Sequence, residues 1–184
     1  MAVVVFIVMA STVLLCGAHA FIDNNPKLGK YQDDALCFGW KESWYQMLRN
    51  YEVDPYYGRT AKCVKVTNVA PYTNDSTILE VSYGGSKRWY AKATLLSSKG
   101  YSSLNVVNLQ NVLPRPQMNY NYNMTDTYIA CDSCKVFRID YIERGNGCSL
   151  WKPRSKVMQE DPCCNFIFDL LCGTTPKYYI YDNC

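Results

Sequence analysis

Histidine is nearly absent: the 184 residues contain one, His19. It lies in an N-terminal stretch that reads as a leader, so the chain left after processing has none. That excludes a Ser-His-Asp or Cys-His nucleophile pair and removes the commonest zinc ligand. An excess of one charge is missing too. Lys and Arg number 19 against 16 Asp and Glu, a formal +3, and the basic residues are scattered. A nucleic-acid partner needs a concentrated basic face, which this chain does not have. Beyond the first 15 residues no apolar run is long enough to span a membrane. Nothing singles out two carboxylates for hydrolysis. The sequence therefore predicts a protein that is not an enzyme and needs no cofactor and no metal.

Met1 to Leu15 is almost continuously apolar, and Ala18-His19-Ala20 is a small-x-small cleavage site. Together they read as a secretory signal peptide, residues 1–20. The run is short for the roughly 20 residues of a membrane span. Residues 21–184 remain as one extracellular domain, large enough to bury a core. Ten cysteines less Cys16 of the leader leave nine. In a secreted chain these are expected in disulfides, and an odd number leaves at least one thiol over. Cys131-Asp132-Ser133-Cys134 is a C-x-x-C with no second pair and no histidine, which weakens a zinc or redox reading. Asn74-Asp75-Ser76 and Asn123-Met124-Thr125 are N-glycosylation sequons that suit the same route and place both segments on the surface.

Asp33 and Asp34 stand where a helix N-cap would, ahead of Ala35, Leu36 and Phe38, and predict a short N-terminal helix. From Glu42 the pattern changes to alternation. Strand-like runs rich in β-branched and aromatic residues cover 44–51, 62–69, 78–83, 88–96, 101–112 and 127–142. Asp54-Pro55-Tyr56-Tyr57-Gly58, Gly84-Gly85-Ser86 and Gly145-Asn146-Gly147 are turn signals, and Pro114 to Tyr122 reads as a longer loop. A second helix is marked by Asp161 as N-cap, Pro162 at the first position and Gly173 just past the end. Phe166, Ile167, Leu170 and Leu171 form its apolar stripe, and Tyr178 to Tyr181 is a last extended piece. About seven or eight hairpin-linked strands followed by an outer helix suggest an up-and-down barrel that encloses one small ligand. A two-sheet sandwich is the alternative, because strand count alone does not separate the two.

Certain spacings are more specific. They are Cys134-x-Val136, Cys148-Ser149-Leu150-Trp151, Pro162-Cys163-Cys164-x-Phe166, Cys172-Gly173 and the closing Tyr181-Asp182-x-Cys184. Earlier in the chain stands Tyr51-x-x-Asp54-Pro55-x-Tyr57-Gly58, followed by Cys63. Across these motifs, from about Glu42 to the end, the chain resembles the tick salivary lipocalins that include the histamine-binding proteins. The resemblance implies a mainly β, eight-stranded antiparallel lipocalin-type barrel with a short N-terminal helix and a C-terminal helix packed outside. It implies disulfides Cys63–Cys184, Cys134–Cys164, Cys148–Cys172 and Cys37–Cys163, leaving Cys131 as the odd thiol.

The resemblance also implies a ligand set. Histamine-binding members hold an ammonium with interior carboxylates and aromatic rings, which is what a buried cation requires. Tyr51, Asp54 and Tyr57 match one such set. Elsewhere the expected acids are replaced, by Lys135, by Ser149 and, near a third position, by Lys92. Two ligand classes follow: a biogenic amine held around Asp54, or an anionic lipid mediator of the leukotriene or thromboxane kind. The lipid carboxylate would face Lys92 or Lys135, with its tail along Trp89 and Trp151. The bland alternative for each ring is strand packing, and for each lysine an outward face, since one register step reverses it. A third function class is a monomeric platform whose loops bind a host plasma protein such as a complement component.

Overall fold

The structure, a computed structural model, describes residues 23–112 and 120–184. The expected leader and its cleavage site lie outside the described residues, as does most of the Pro114–Tyr122 loop. The strands are β1 (Trp44–Arg49), β2 (Lys65–Asn68), β3 (Ser76–Tyr83), β4 (Lys87–Leu96) and β5 (Val106–Asn111). They continue with β6 (Asn121–Ala130), β7 (Cys134–Ile139), β8 (Gly147–Pro153) and the short β9 (Tyr178–Tyr179). From β2 to β8 each strand pairs antiparallel with the next, and β1 closes the ring by pairing with both β8 and β2. The result is a closed eight-stranded barrel, not a sandwich. The chain's tail adds β9 to the β1 edge at Leu48↔Tyr179 and Arg49↔Tyr178.

Alternation places the core. Trp89, Ala91, Ala93 and Leu95 of β4 point inward, whereas Arg88, Tyr90 and Lys92 point to solvent. Lys92 therefore cannot face a ligand in the barrel, which corrects that expectation. The 127–142 run divides in two: Cys131–Ser133 form the turn of the β6–β7 hairpin, and β6 begins already at Asn121. β8 is buried on both faces because a helix covers its outside.

That helix, α1 (Pro162–Cys172), starts at Asp161, whose carboxylate accepts from the Cys164 N–H at 2.9 Å. It ends before Gly173, whose φ of 85° favours a residue without a Cβ. The buried side is not the stripe read from the sequence. Cys164 and Phe168 face the barrel, while Phe166 and Leu170 are 63 % and 54 % exposed. Cys134–Cys164 and Cys148–Cys172 pin α1 at positions 164 and 172, two turns apart, and so set its rotation. Near the N-terminus the expected helix is two 3-10 turns, Pro26–Tyr31 and Asp34–Leu36, the second capped by Asp33 accepting from the Ala35 N–H at 3.3 Å.

Cys63–Cys184 ties the residue ahead of β2 to the last residue, a separation of 121 positions. The fourth disulfide corrects the expected pairing: Cys37 joins Cys131, with Cα atoms 5.6 Å apart, and not Cys163. The segment carrying Cys37 crosses the barrel end beside the β6–β7 turn, where Cys131 sits. Cys163 lies on the outward side of α1 and is the free thiol among the described residues. Native alkylation without reductant is expected to label Cys163, and peptide mapping to return a Cys37–Cys131 linked pair; a Cys37–Cys163 peptide would contradict the fold. Of the two sequons, Asn74 is exposed in a tight turn, whereas Asn123 sits within β6 and accepts an amide hydrogen bond from Asn108 at 2.8 Å.

Candidate functional site

The two ends of the barrel differ. One end is plugged. Asp54 bridges to Arg59 across a turn and is fully buried. Its carboxylate accepts from the Tyr51 hydroxyl at 2.8 Å, the Tyr141 hydroxyl at 3.1 Å and the N–H groups of Tyr56 and Tyr57 at 3.0 and 3.1 Å. The buried Arg49 guanidinium stands 3.8 Å away and donates to the carbonyls of Tyr51, Glu52 and Arg59. Burial first, and the Asp54 charge second, hold the Tyr51 and Tyr141 phenols well above their ordinary range, so both remain donors. Tyr56 then stacks flat on Tyr122 at 4.3 Å and edge-on against Tyr141 at 4.6 Å. Trp89 leans on Tyr120 at 5.0 Å in the same group. Tyr51 and Asp54 are thus used by each other and by the turn, and Trp89 packs at the edge of the tyrosine group.

The other end is hollow. A cavity that opens at this end lies between Trp44, Trp151, Phe137, Leu109 and Met124. Trp40 and Glu42 stand at its edge, on the chain leading into β1. The wall is mostly carbon, the usual character of a small-molecule site. Tyr57 forms part of it, its hydroxyl 3.3 Å from the Met124 sulfur and its ring edge-on to Trp151 at 5.7 Å. Ser149 is fully buried and accepts from the Trp151 indole N–H at 2.8 Å, which fixes that ring without lining the cavity.

The polar groups around this cavity form a sparse set. Lys135 lines it, with its ammonium bound to Asp34 and poised 4.6 Å above the Trp44 ring. Asp126 follows Met124 at the next inward position of β6 and pairs across to Phe137, behind the cavity wall and not in it. It is 1 % exposed, and neither carboxyl oxygen has a partner among the described residues. Burial pushes its pKa well up, the Asp34 charge adds to this, and Lys135 opposes it. Gln46, the next inward position after Trp44 on β1, is likewise 1 % exposed with both amide atoms unpartnered.

Of the residues singled out from the sequence, the structure therefore gathers Tyr57, Lys135 and Trp151 on one cavity, with Ser149 behind it. Tyr51, Asp54 and Trp89 belong to the plugged end, and Lys92 to the outside. Asp34, Gln46 and Asp126 were not singled out as ligand groups. A carboxylate on the inward face of β6 was the available signal for Asp126, once the strand's start is moved back to Asn121.

An eight-stranded antiparallel barrel, closed at one end, hollow at the other and buttressed by an outer helix, is a lipocalin-like fold. The profile of the tick histamine binding protein family matches residues 22–184, and the chain belongs to that family. Among solved structures it resembles AM182 in its serotonin complex, at 16 % identity and a TM-score of 0.58, covering 79 % of this chain and 85 % of that one. It also resembles japanin from Rhipicephalus appendiculatus bound to cholesterol, at 13 % identity and a TM-score of 0.54, covering 78 % and 95 %. A search of curated protein sequences returns no match.

Proposed function

We propose that the chain is a secreted carrier that sequesters a host biogenic amine, of the histamine or serotonin class, and so blunts host inflammatory defence. The observation that carries this reading is the aromatic-walled cavity with the acids Asp34 and Glu42 in its wall, and behind it the buried Asp126 carboxyl, which has no partner among the described residues. Leaving such a group unpaired costs roughly 1–3 kcal/mol, which a ligand ammonium would offset. The Trp44 and Trp151 rings offer faces for a flat ligand body and for cation–π attraction. The amine reading thereby moves from Asp54, whose four hydrogen-bond donors leave it nothing to offer, to the acids of the hollow end, Asp34 and Glu42 in the wall and Asp126 behind it. AM182, seen with serotonin, supports this ligand class.

The largely apolar wall favours a second reading, a lipid mediator, and japanin with cholesterol supports it. Against an anionic lipid stands the pairing of Lys135 with Asp34, which leaves that cation already neutralised. Titration calorimetry with histamine, serotonin and a leukotriene separates the two. Amine binding is expected, weakened at least thirtyfold in Asp126→Asn, from the roughly 2 kcal/mol or more that a buried charge partner contributes. Leukotriene binding indifferent to that change, with no amine binding, would replace the amine reading.

A further inference from the structure

We propose that the ligand's ammonium takes a place that the empty protein fills with its own: the Lys135 ammonium gives up Asp34 and the Trp44 ring to the ligand and moves to Asp126. This rests on the amine reading above and adds which residues seat the cation and how they are vacated.

Asp34 and Trp44 both line the cavity. They present a carboxylate and an indole face to one spot, the pair of features that a desolvated alkylammonium requires. An alkylammonium is what stands there. Lys135 binds the Asp34 oxygen, and its nitrogen lies 4.6 Å above the Trp44 ring. The head of a lysine and the head of a biogenic amine are the same group, a primary ammonium on a methylene chain. Lys135 therefore marks where the ligand's head belongs. The lysine reaches that spot along its stem from β7; a ligand reaches it from the cavity, with its flat body against Trp151 and Phe137.

Displacing a buried cation costs much unless a second acid receives it. Asp126 is that acid. It pairs across from Phe137, and Lys135 precedes Phe137 by two residues on β7, on the same cavity-facing side. Such diagonal neighbours lie roughly 7–8 Å apart, a gap within reach of a long side chain. The Lys135 charge already acts on Asp126 from where it stands, opposing the rise that burial imposes on that carboxyl. Neither Asp126 oxygen has a partner among the described residues, so no existing bond is broken when the lysine arrives. Empty, the two acids have one ammonium between them; loaded, each holds one. The ligand never touches Asp126, which lies behind the wall, yet depends on it through the lysine. Selectivity follows as well. A neutral body of the same shape cannot release Lys135, because it would leave Asp34 buried without a counter-charge.

Calorimetry with serotonin and histamine on paired variants tests the exchange. Asp126→Asn is expected to weaken binding at least thirtyfold while Lys135 is present, since the displaced lysine then has no acid to go to. In a Lys135→Met background the same change should matter by less than about threefold, because no lysine needs a place. Equal effects of Asp126→Asn in both backgrounds, large or absent, would overturn the exchange. A crystal structure of the wild-type protein with the tighter of the two amines needs no variant to fold. It is expected to show the ligand nitrogen on Asp34 above Trp44, and the Lys135 nitrogen on Asp126. Lys135 still bound to Asp34 in that complex overturns the exchange and leaves the amine function standing. A wild-type protein that binds neither amine overturns the function, and the exchange with it.

Discussion

Asp54→Ala is expected to cost about 3–5 kcal/mol of folding stability, the usual loss when one partner of a buried ion pair is removed. In a chain of this size that lowers Tm by roughly 6–20 °C. The cause is local and can be followed atom by atom. Removing the carboxylate leaves the Arg49 guanidinium buried without its counter-charge. It also leaves the Tyr51 and Tyr141 hydroxyls and two backbone N–H groups with no acceptor. The turn from Asp54 to Arg59 then loses the side chain that folds it, and the tyrosine stack above it loses its floor. Amine affinity of the folded variant should change by less than about threefold, because Asp54 itself is not in the cavity wall. Thermal unfolding and calorimetry on the same sample check both halves. A variant of normal Tm that no longer binds amine would return the ligand site to Asp54.

That outcome is the reverse of what the motif alone implies, and the reason is physical. Tyr51-x-x-Asp54-Pro55-x-Tyr57-Gly58 was legible as a motif, and the structure does bring its acid and rings together. Whether an acid is free depends on groups far along the chain: Tyr141 is 87 positions from Asp54, and Tyr122 reaches the same cluster from β6. Sequence order does not show that meeting. Strand existence was readable from period-two alternation, and α1 from its cap, proline and glycine. Strand ends were not, because Asn121 and Tyr122 carry loop-like neighbours yet pair with Gln110 and Leu109. The rotation of α1 was misread for a related reason. Phe166 and Leu170 are the more apolar choice for a buried face, but two disulfides turn the Cys164–Phe168–Cys172 side inward instead. Asp34 looked like a second capping residue beside Asp33. Its partner, Lys135, lies 101 positions away.

The Asp34–Lys135 pair yields the other large effect. Lys135→Met should cost the empty protein about 3–5 kcal/mol, since Asp34 is 1 % exposed and would keep a buried charge with no partner. The thioether fills much of the lysine stem's volume, so packing contributes little to that loss. Binding should move the other way. In the wild type the Lys135 ammonium neutralises Asp34, so an incoming cation gains little from that acid. Without it, and with Asp34 released, the ligand ammonium meets two acids and no competitor, and serotonin affinity should rise about tenfold or more. Saturating serotonin would then raise Tm more in the variant than in the wild type, because a tighter ligand returns more of the lost stability. An anionic lipid should lose affinity in the same variant, as its only inward-facing cation among the described residues of the cavity wall is gone. A single substitution thus drives the two ligand classes in opposite directions, and a scan of Tm against each ligand reads the sign directly. If Lys135→Met left both stability and serotonin affinity unchanged, the ion pair would not be part of the site.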